Sequence, residues 1–461
     1  MKRYYLLLFG LLCFGIIKGQ YSVILNFNNP FGYFPGSTLT ISGGKLFGMT
    51  LFGGASVGNI FTIDTAGNNS KDLFDFNGTN GSDPNGYLTL SGNVLFGMTT
   101  DGGTYGVGNI FSIDSNGNGF KDLYDFYGTN NYPNGSLIIS GSRLYGMTSG
   151  GGGYNYGCIF SIDTSGNGYN VLFNFNNSNG GYPKGSLILI GNKFYGMTDG
   201  GGTHGCGVVF SIDSNGGNYK VLLNFDTING SYPLGNLTIV GSKLYGIANW
   251  GGAHDSGCIF SIDTDGSMYK DLFDFNTADG AFPGSISLTL IGGMLYGTAG
   301  NGGANNSGVI FSIDTNGTSY TDLYNFDVTT GEYPNGVVND GKMLYGMATW
   351  GGPNNGGVIY KFKEAGLGIN NLISGVGSIT AYPNPSAGIF TLTCHYEQSE
   401  ESLPVIKVYN ILGQQVLTET LHSAQGDNTV DMSNQPNGIY LYRVMNEDGT
   451  LIGEGKVVVQ K

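Results

Sequence analysis

Short apolar-rich runs, separated by Gly-, Asn- and Ser-rich stretches, recur in a fixed order along residues 21–362. One unit reads SLII (136–139), RLYGMT (143–148), CIFSID (158–163) and NVLFNF (170–175). Runs of this length bounded by turn residues predict strands. SGS joins the first two and TSGNGY the last two, both as tight turns. The second and third are joined by the longer SGGGYNYG, and NNSNGGYPKG leads into the next unit. The third-run phenylalanines Phe61, Phe111, Phe160, Phe210, Phe260 and Phe311 are spaced 50, 49, 50, 50 and 51 residues apart, and Tyr360 follows after 49. A period of this size marks a repeat architecture.

Four antiparallel strands per unit predict a propeller blade. The ends of the array sharpen the expectation. YSVILNF (21–27) matches a fourth run, and VIYKF (358–362) matches a third run with no fourth behind it. Pairing the two would complete a seventh unit. The expected fold class is therefore all-β: a seven-bladed β-propeller with four-stranded blades, its ring closed by strand 21–27 joining the last blade, followed by a small β-sandwich. The repeated phenylalanines and the Leu144-Tyr145-Gly146 pattern are expected to pack between blades. The prolines at 35, 84, 133, 183, 233, 283 and 334 stiffen the start of each first strand. Asp64, Asp114, Asp163, Asp213, Asp263 and Asp314 each end a third run, where a carboxylate caps its own hairpin through backbone N–H groups.

Composition narrows the class. Glycine accounts for 83 of 461 residues, without a Gly-X-Y period, while aromatics reach 13%. That combination fits strands and tight turns rather than a flexible linker. Charged residues are 11% and the formal net charge is −14, which gives no positive field for a nucleic-acid partner. The N-terminus has a basic start, Lys2-Arg3, and an apolar run Tyr4–Ile17 too short to span a bilayer, the pattern of a signal peptide. The expected organisation is signal peptide 1–19, propeller 20–362, linker 363–380 and tail 381–461, with no transmembrane segment in the mature chain. Export permits disulfides. For Cys158, Cys206, Cys258 and Cys394, one bridge to Cys206 and buried free thiols both remain open.

Binding residues concentrate on loops held by a rigid scaffold, and the long second-to-third loops share one face of the array. Residues there that break the repeat are Phe52, Tyr105, Tyr154, Tyr156, His204, Trp250, His254 and Trp350, with Trp250 and Trp350 the only tryptophans. An aromatic surface of this kind stacks on sugars or anchors a protein. Asp101, Asp199 and Asp255 lie on the same loops without forming a recognisable pair. The body is therefore expected to bind or adhere, to an extracellular glycan or a surface protein, rather than to catalyse, with no catalytic residue, metal or cofactor. Two rivals stand beside this: a structural surface protein without a ligand, and a polysaccharide-active hydrolase or lyase. Two carboxylates about 5–9 Å apart would favour the enzyme.

After Phe362 the period stops. AYPNPSAGIFTLTC (381–394), IKVYNILGQQVLTET (406–420) and NQPNGIYLYRVMNEDGTLIGEGKVVVQK (434–461) alternate as strands of a small sandwich. This tail resembles the type A C-terminal sorting domain of the type IX secretion system of Bacteroidetes. The residues that carry the likeness are Pro383, Asn384, Pro385, Gly413, Pro436, Asn437, Gly438, Tyr440 and Lys456. The resemblance implies recognition by the type IX machinery, passage across the outer membrane, tail removal, and release or attachment at the cell surface. The repeats of residues 21–362 resemble a G-x-x-F tandem family of secreted bacterial proteins.

Overall fold

The computed structural model describes residues 19–28, 32–54, 57–128, 130–284, 287–363, 379–382, 386–395, 405–410, 414–421, 425–445 and 451–461. Residues 1–18 of the signal-peptide stretch, nearly all of the linker and Pro383, Asn384, Pro385 and Gly413 of the sorting motif lie outside the described residues. The chain divides into two compact units, Met1–Ala365 and Gly366–Lys461.

In the first unit each repeat folds as one antiparallel sheet. The fifth is typical: Thr238–Val240, Lys243–Ala248, Cys258–Asp263 and Lys270–Asp274, paired in chain order. The seventh combines Glu332–Asn339, Leu344–Trp350 and Val358–Lys363 with the N-terminal strand Gln20–Asn26. The strand expected to complete the last unit does so: Tyr21 lies opposite Phe362 and Val23 opposite Tyr360.

The expectation of a closed seven-bladed propeller is corrected. Among the described residues the chain forms nine separate small antiparallel sheets, seven in the first unit and two in the second, and no sheet is closed into a ring. Strand pairing runs within a sheet and stops at its edges. The reason is chemical. Successive sheets are joined by side-chain packing and by isolated backbone bonds, such as that of Tyr182 to Tyr156, which do not extend a strand ladder from one sheet to the next.

Those side-chain joints repeat with the period of the sequence. Phe311 of the sixth sheet packs with Tyr245, Ile247 and Ile259 of the fifth, and Phe61 of the first with Tyr345, Met347 and Ile359 of the seventh. These phenylalanines are fully buried, as expected for residues between sheets. The hydroxyls of Thr40 and Thr238 donate to the carbonyls of Leu88 and Leu288 in the next sheet, each at 2.5 Å. A glycine at each long-loop end abuts the next repeat's proline. A Cβ on Gly58, Gly108, Gly157, Gly207, Gly257, Gly308 or Gly357 would lie 2.6–2.9 Å from a proline Cδ, so only glycine allows the approach. The hairpin aspartates behave as expected in four repeats: Asp64, Asp114, Asp163 and Asp314 accept the N–H groups two and four residues on. Asp213 and Asp263 instead pair with Lys193 and Lys243, both at 2.7 Å.

The second unit is a sandwich of two sheets. One contains Ile379–Tyr382, Ile389–His395 and Gln425–Asp431, the other Val405–Asn410, Gln415–Thr420, Gly438–Met445 and Leu451–Val459. Phe390, Leu392 and Val430 of one face Ile406, Val408, Tyr442 and Val457 of the other in a single core.

Candidate functional site

The first strands and the long loops build one surface of the first unit. The residue before each repeated proline is Phe34, Asp83, Tyr132, Tyr182, Tyr232, Phe282 or Tyr333. All seven have positive φ, between 49° and 60°. A bulky residue there is strained, and one before proline normally prefers an extended conformation. The surrounding structure holds it. In every repeat this residue donates its N–H to a carbonyl of the preceding long loop, as Tyr182 does to Tyr156 at 2.8 Å and Phe34 to Gly356 at 2.8 Å. The left-handed turn aims the rings outward. Tyr132, Tyr182, Tyr232 and Tyr333 are exposed. The sequence carried a signal for this array, an aromatic before proline in six of seven repeats, but the outward turn is invisible without the tertiary bonds.

The loop residues singled out by the sequence sit on and around this array. Trp250 packs at a tilt against Phe282 at 4.4 Å between ring centroids, and Trp350 likewise against Phe34 at 4.1 Å. Phe52 is parallel to Tyr33 at 5.7 Å, Tyr105 lies 5.6 Å from Tyr127, and Tyr156 lies 5.2 Å from Tyr182. Phe52, Tyr105, Tyr154, Trp250 and Trp350 are exposed, as are His204 and His254. Tyr154 makes no ring contact among the described residues.

A second cluster lies at the outer strand of the fifth sheet. In a regular strand Asp271 and Asp274, three apart, would face opposite ways. Phe260 pairs with Asp271 and Ile259 with Phe273, so Leu272 is an extra, bulged residue. The bulge turns the following residues over. Asp274 then lies opposite Cys258, and Cys258, Asp271 and Asp274 share a face. One ligand atom from each lies within 4.8 Å of the other two. Cys258 is fully buried, Asp274 partly so, and Asp271 opens the group to solvent.

The equivalent positions elsewhere show what is missing. In the second repeat Asn109 donates its amide to Asp122 at 3.1 Å, and the Asp125 carboxylate takes the loop N–H of Thr104 at 2.9 Å. Asn174 and Asn224 accept the same loop N–H in the third and fourth repeats. In the fifth repeat Cys258 replaces the asparagine. Asp274 Oδ1 is buried without a hydrogen-bond partner, pressed so close to Gly252 that a Cβ there would be 2.2 Å away. Burial and the neighbouring charge of Asp274 push the Asp271 carboxyl up to about 6. Burial, then Asp271 and Asp274, push the Cys258 thiol up as well. Two carboxyls and a thiol thus face one another where burial and mutual repulsion disfavour the charged forms of Asp271 and Cys258.

The expectation of a body without chemistry is corrected by this group, a metal-ligating set of residue types at ligating distance. Sequence reasoning missed it because the acids follow a strand pattern that, unbulged, separates them. Among the described cysteines Cys158, Cys206 and Cys258 are buried and form no disulfide.

In the second unit the Tyr440 hydroxyl donates to the Pro436 carbonyl at 2.8 Å, Asn437 accepts the Lys461 N–H at 3.0 Å, and Gly438 and Lys456 lie on the paired final strands. These are the described members of the sorting motif.

The profile of the secretion system C-terminal sorting domain matches residues 380–460. The protein is exported through this type IX sorting domain. No curated protein matches the chain. Among solved structures, a fungal alcohol oxidase of the AA5 family in complex with copper is similar at 12% identity and a TM-score of 0.50, covering 96% of this chain and 99% of that one. This likeness is one of fold. An oligogalacturonate lyase in complex with manganese is similar at 13% identity and a TM-score of 0.48, over 75% of this chain and 93% of that one. The Gloeobacter/Verrucomicrobia repeat profile matches three overlapping stretches, residues 13–143, 130–285 and 240–393, and the chain therefore belongs to the Gloeobacter/Verrucomicrobia repeat family.

Proposed function

We propose that the exported body is a polysaccharide-active hydrolase or lyase whose acid chemistry resides at Cys258, Asp271 and Asp274. The observation that carries the reading is the group itself, with ligand atoms within 4.8 Å and a buried carboxylate oxygen left without a donor. A carboxyl that titrates at about 6 is matched to proton transfer near neutral pH. One carboxylate oxygen from each acid lies within 4.8 Å of the other, closer than the pair that flanks a glycosidic bond in ordinary glycoside hydrolysis. They act as one unit, sharing a proton or holding a divalent cation. A thiolate with two carboxylates suits a borderline cation such as zinc, which would supply Lewis acidity to a sugar oxygen or uronate. The exposed aromatics of the loop surface would hold the polymer by stacking.

The organisation proposed for export is a signal peptide at 1–19, a body at 20–362, a linker at 363–380 and a tail at 381–461 that is removed, leaving the body released or at the cell surface. The test incubates the full chain with neutral and uronate-bearing polysaccharides and follows new reducing ends and the ultraviolet absorbance of unsaturated uronates. Product from at least one polymer, lost in Asp271→Asn/Asp274→Asn, is the expected result. No product from any polymer rejects the reading. Trp250 against Phe282 and Trp350 against Phe34 favour a second reading, adhesion to an extracellular glycan or surface protein. It predicts saturable binding that Trp250→Ala/Trp350→Ala abolishes.

A further inference from the structure

The segments leading into or opening the first strands of five successive sheets converge on a cavity of about 70 Å³ that neither reading uses. Its wall includes Ser37, Tyr87, Asn134, Ser136, Ser186 and Asn236. The wall is wired from sheet to sheet. The Tyr87 N–H donates to the Ser136 hydroxyl and the Ser136 N–H to the Ser186 hydroxyl, each at 2.7 Å. The Ser186 N–H donates to the Asn236 side-chain oxygen. Backbone donors thus occupy these side-chain oxygens and fix where they stand. Ser37 differs. It is 9% exposed, and its hydroxyl has no hydrogen-bond partner. A buried hydroxyl without a partner costs stability, so a site that keeps one is built to satisfy it with something else.

The lining favours a neutral polar group. Apart from Leu234 it consists of hydroxyls, side-chain amides and glycine backbone, and its one charged side chain, Lys184, is already paired with Asp199 at 3.1 Å. Exposed rings lie close along the chain to the lining residues. Tyr132, Tyr182 and Tyr232 precede the cavity residues Asn134, Lys184 and Leu234 by two positions, which places their backbones within about 7 Å along the chain. All three are exposed and held at positive φ. The same backbone turn recurs in all seven repeats, so it belongs to the scaffold that presents these rings.

We propose that this cavity binds the hydroxyl-bearing end of a neutral glycan chain, with Ser37 bonding a terminal hydroxyl and the tyrosine collar stacking on the adjoining sugar. The choice of a glycan rests on the carbohydrate reading above, but the site is separate from Cys258, Asp271 and Asp274 and does not require their chemistry.

The experiment titrates the full chain with neutral cello-, manno- and xylo-oligosaccharides by calorimetry and saturation-transfer NMR. It repeats the titration with oligosaccharides methylated at the terminal sugar. Binding of at least one oligosaccharide is expected, weakened about tenfold by Ser37→Ala and again about tenfold by Tyr182→Ala. Terminal methylation abolishes it, and Asp271→Asn/Asp274→Asn leaves it unchanged. Ser37→Ala removes an unsatisfied group and so keeps the fold, which the melting temperature verifies. Binding that Ser37→Ala leaves untouched, or that tolerates terminal methylation, overturns the proposal, as does the absence of binding to every oligosaccharide. Binding that meets these criteria in a chain that degrades no polymer supports the cavity and rejects the enzyme reading alone.

Discussion

The second and fifth repeats carry almost the same outer strand, KDLYD (121–125) and KDLFD (270–274), yet their acids have different surroundings. Both strands are bulged, and both place two aspartates on the face of the third strand's first residue. In the second repeat that residue is Asn109, which donates to Asp122, while Asp125 caps the long loop. In the fifth it is Cys258, which brings no amide, and Asp274 caps nothing through Oδ1. Fold geometry supplies a pair of acids at each place. One side chain on the neighbouring strand decides whether the pair is hydrogen-bonded within the protein or left available to a proton, a cation or a substrate.

The largest effect expected from this contrast is on activity. Asp271→Asn/Asp274→Asn should lower polysaccharide turnover by at least about a hundredfold, while Asp122→Asn/Asp125→Asn leaves it near the wild-type rate. Equal losses in the two repeats would break the comparison. Next is metal binding. Zinc at about a hundredfold excess over its dissociation constant should stabilise the chain by about 2.7 kcal/mol, read as a rise in melting temperature, and Cys258→Ser should remove the rise.

Exchanging the deciding residues is a subtler test. Cys258→Asn should lower the Asp271 titration midpoint toward the ordinary carboxylate range, and Asn109→Cys should raise that of Asp122, both followed by carboxyl-carbon NMR. The smallest effect is on pH dependence. Because the folded Asp271 carboxyl is held above its usual value, the stability it contributes is complete below about pH 4 and is lost as pH rises through about 6. Thermal melts across that window should show the fall in the wild type and a shallower one in Cys258→Asn.

The aromatic array shows how far a sequence carries such an inference. Trp250, Trp350 and the loop tyrosines could be placed on one surface because they break the repeat at the same point. Their partners could not be named. Phe34 and Phe282 look like ordinary strand starts until the bonds from Gly356 and Ser256 hold them in the left-handed region. Similarly, the chain pattern identified four-stranded units but not their joints. Thr40 to Leu88 and Gly357 against Pro35 connect residues far apart in the chain, by contacts that no local period records.

By itself the sequence determined the repeat, the four strand types, the N-terminal strand that completes the seventh sheet, and the sorting tail. All of these follow from local periodicity, turn chemistry and motif order, which each segment carries within itself. Only the tertiary structure decided that the sheets stay separate, that the aromatics before proline turn outward, and that Asp271 and Asp274 meet Cys258. The last depends on a bulge at Leu272. A bulge is a mismatch in register between two strands, so it belongs to the pair and cannot be read from either strand alone.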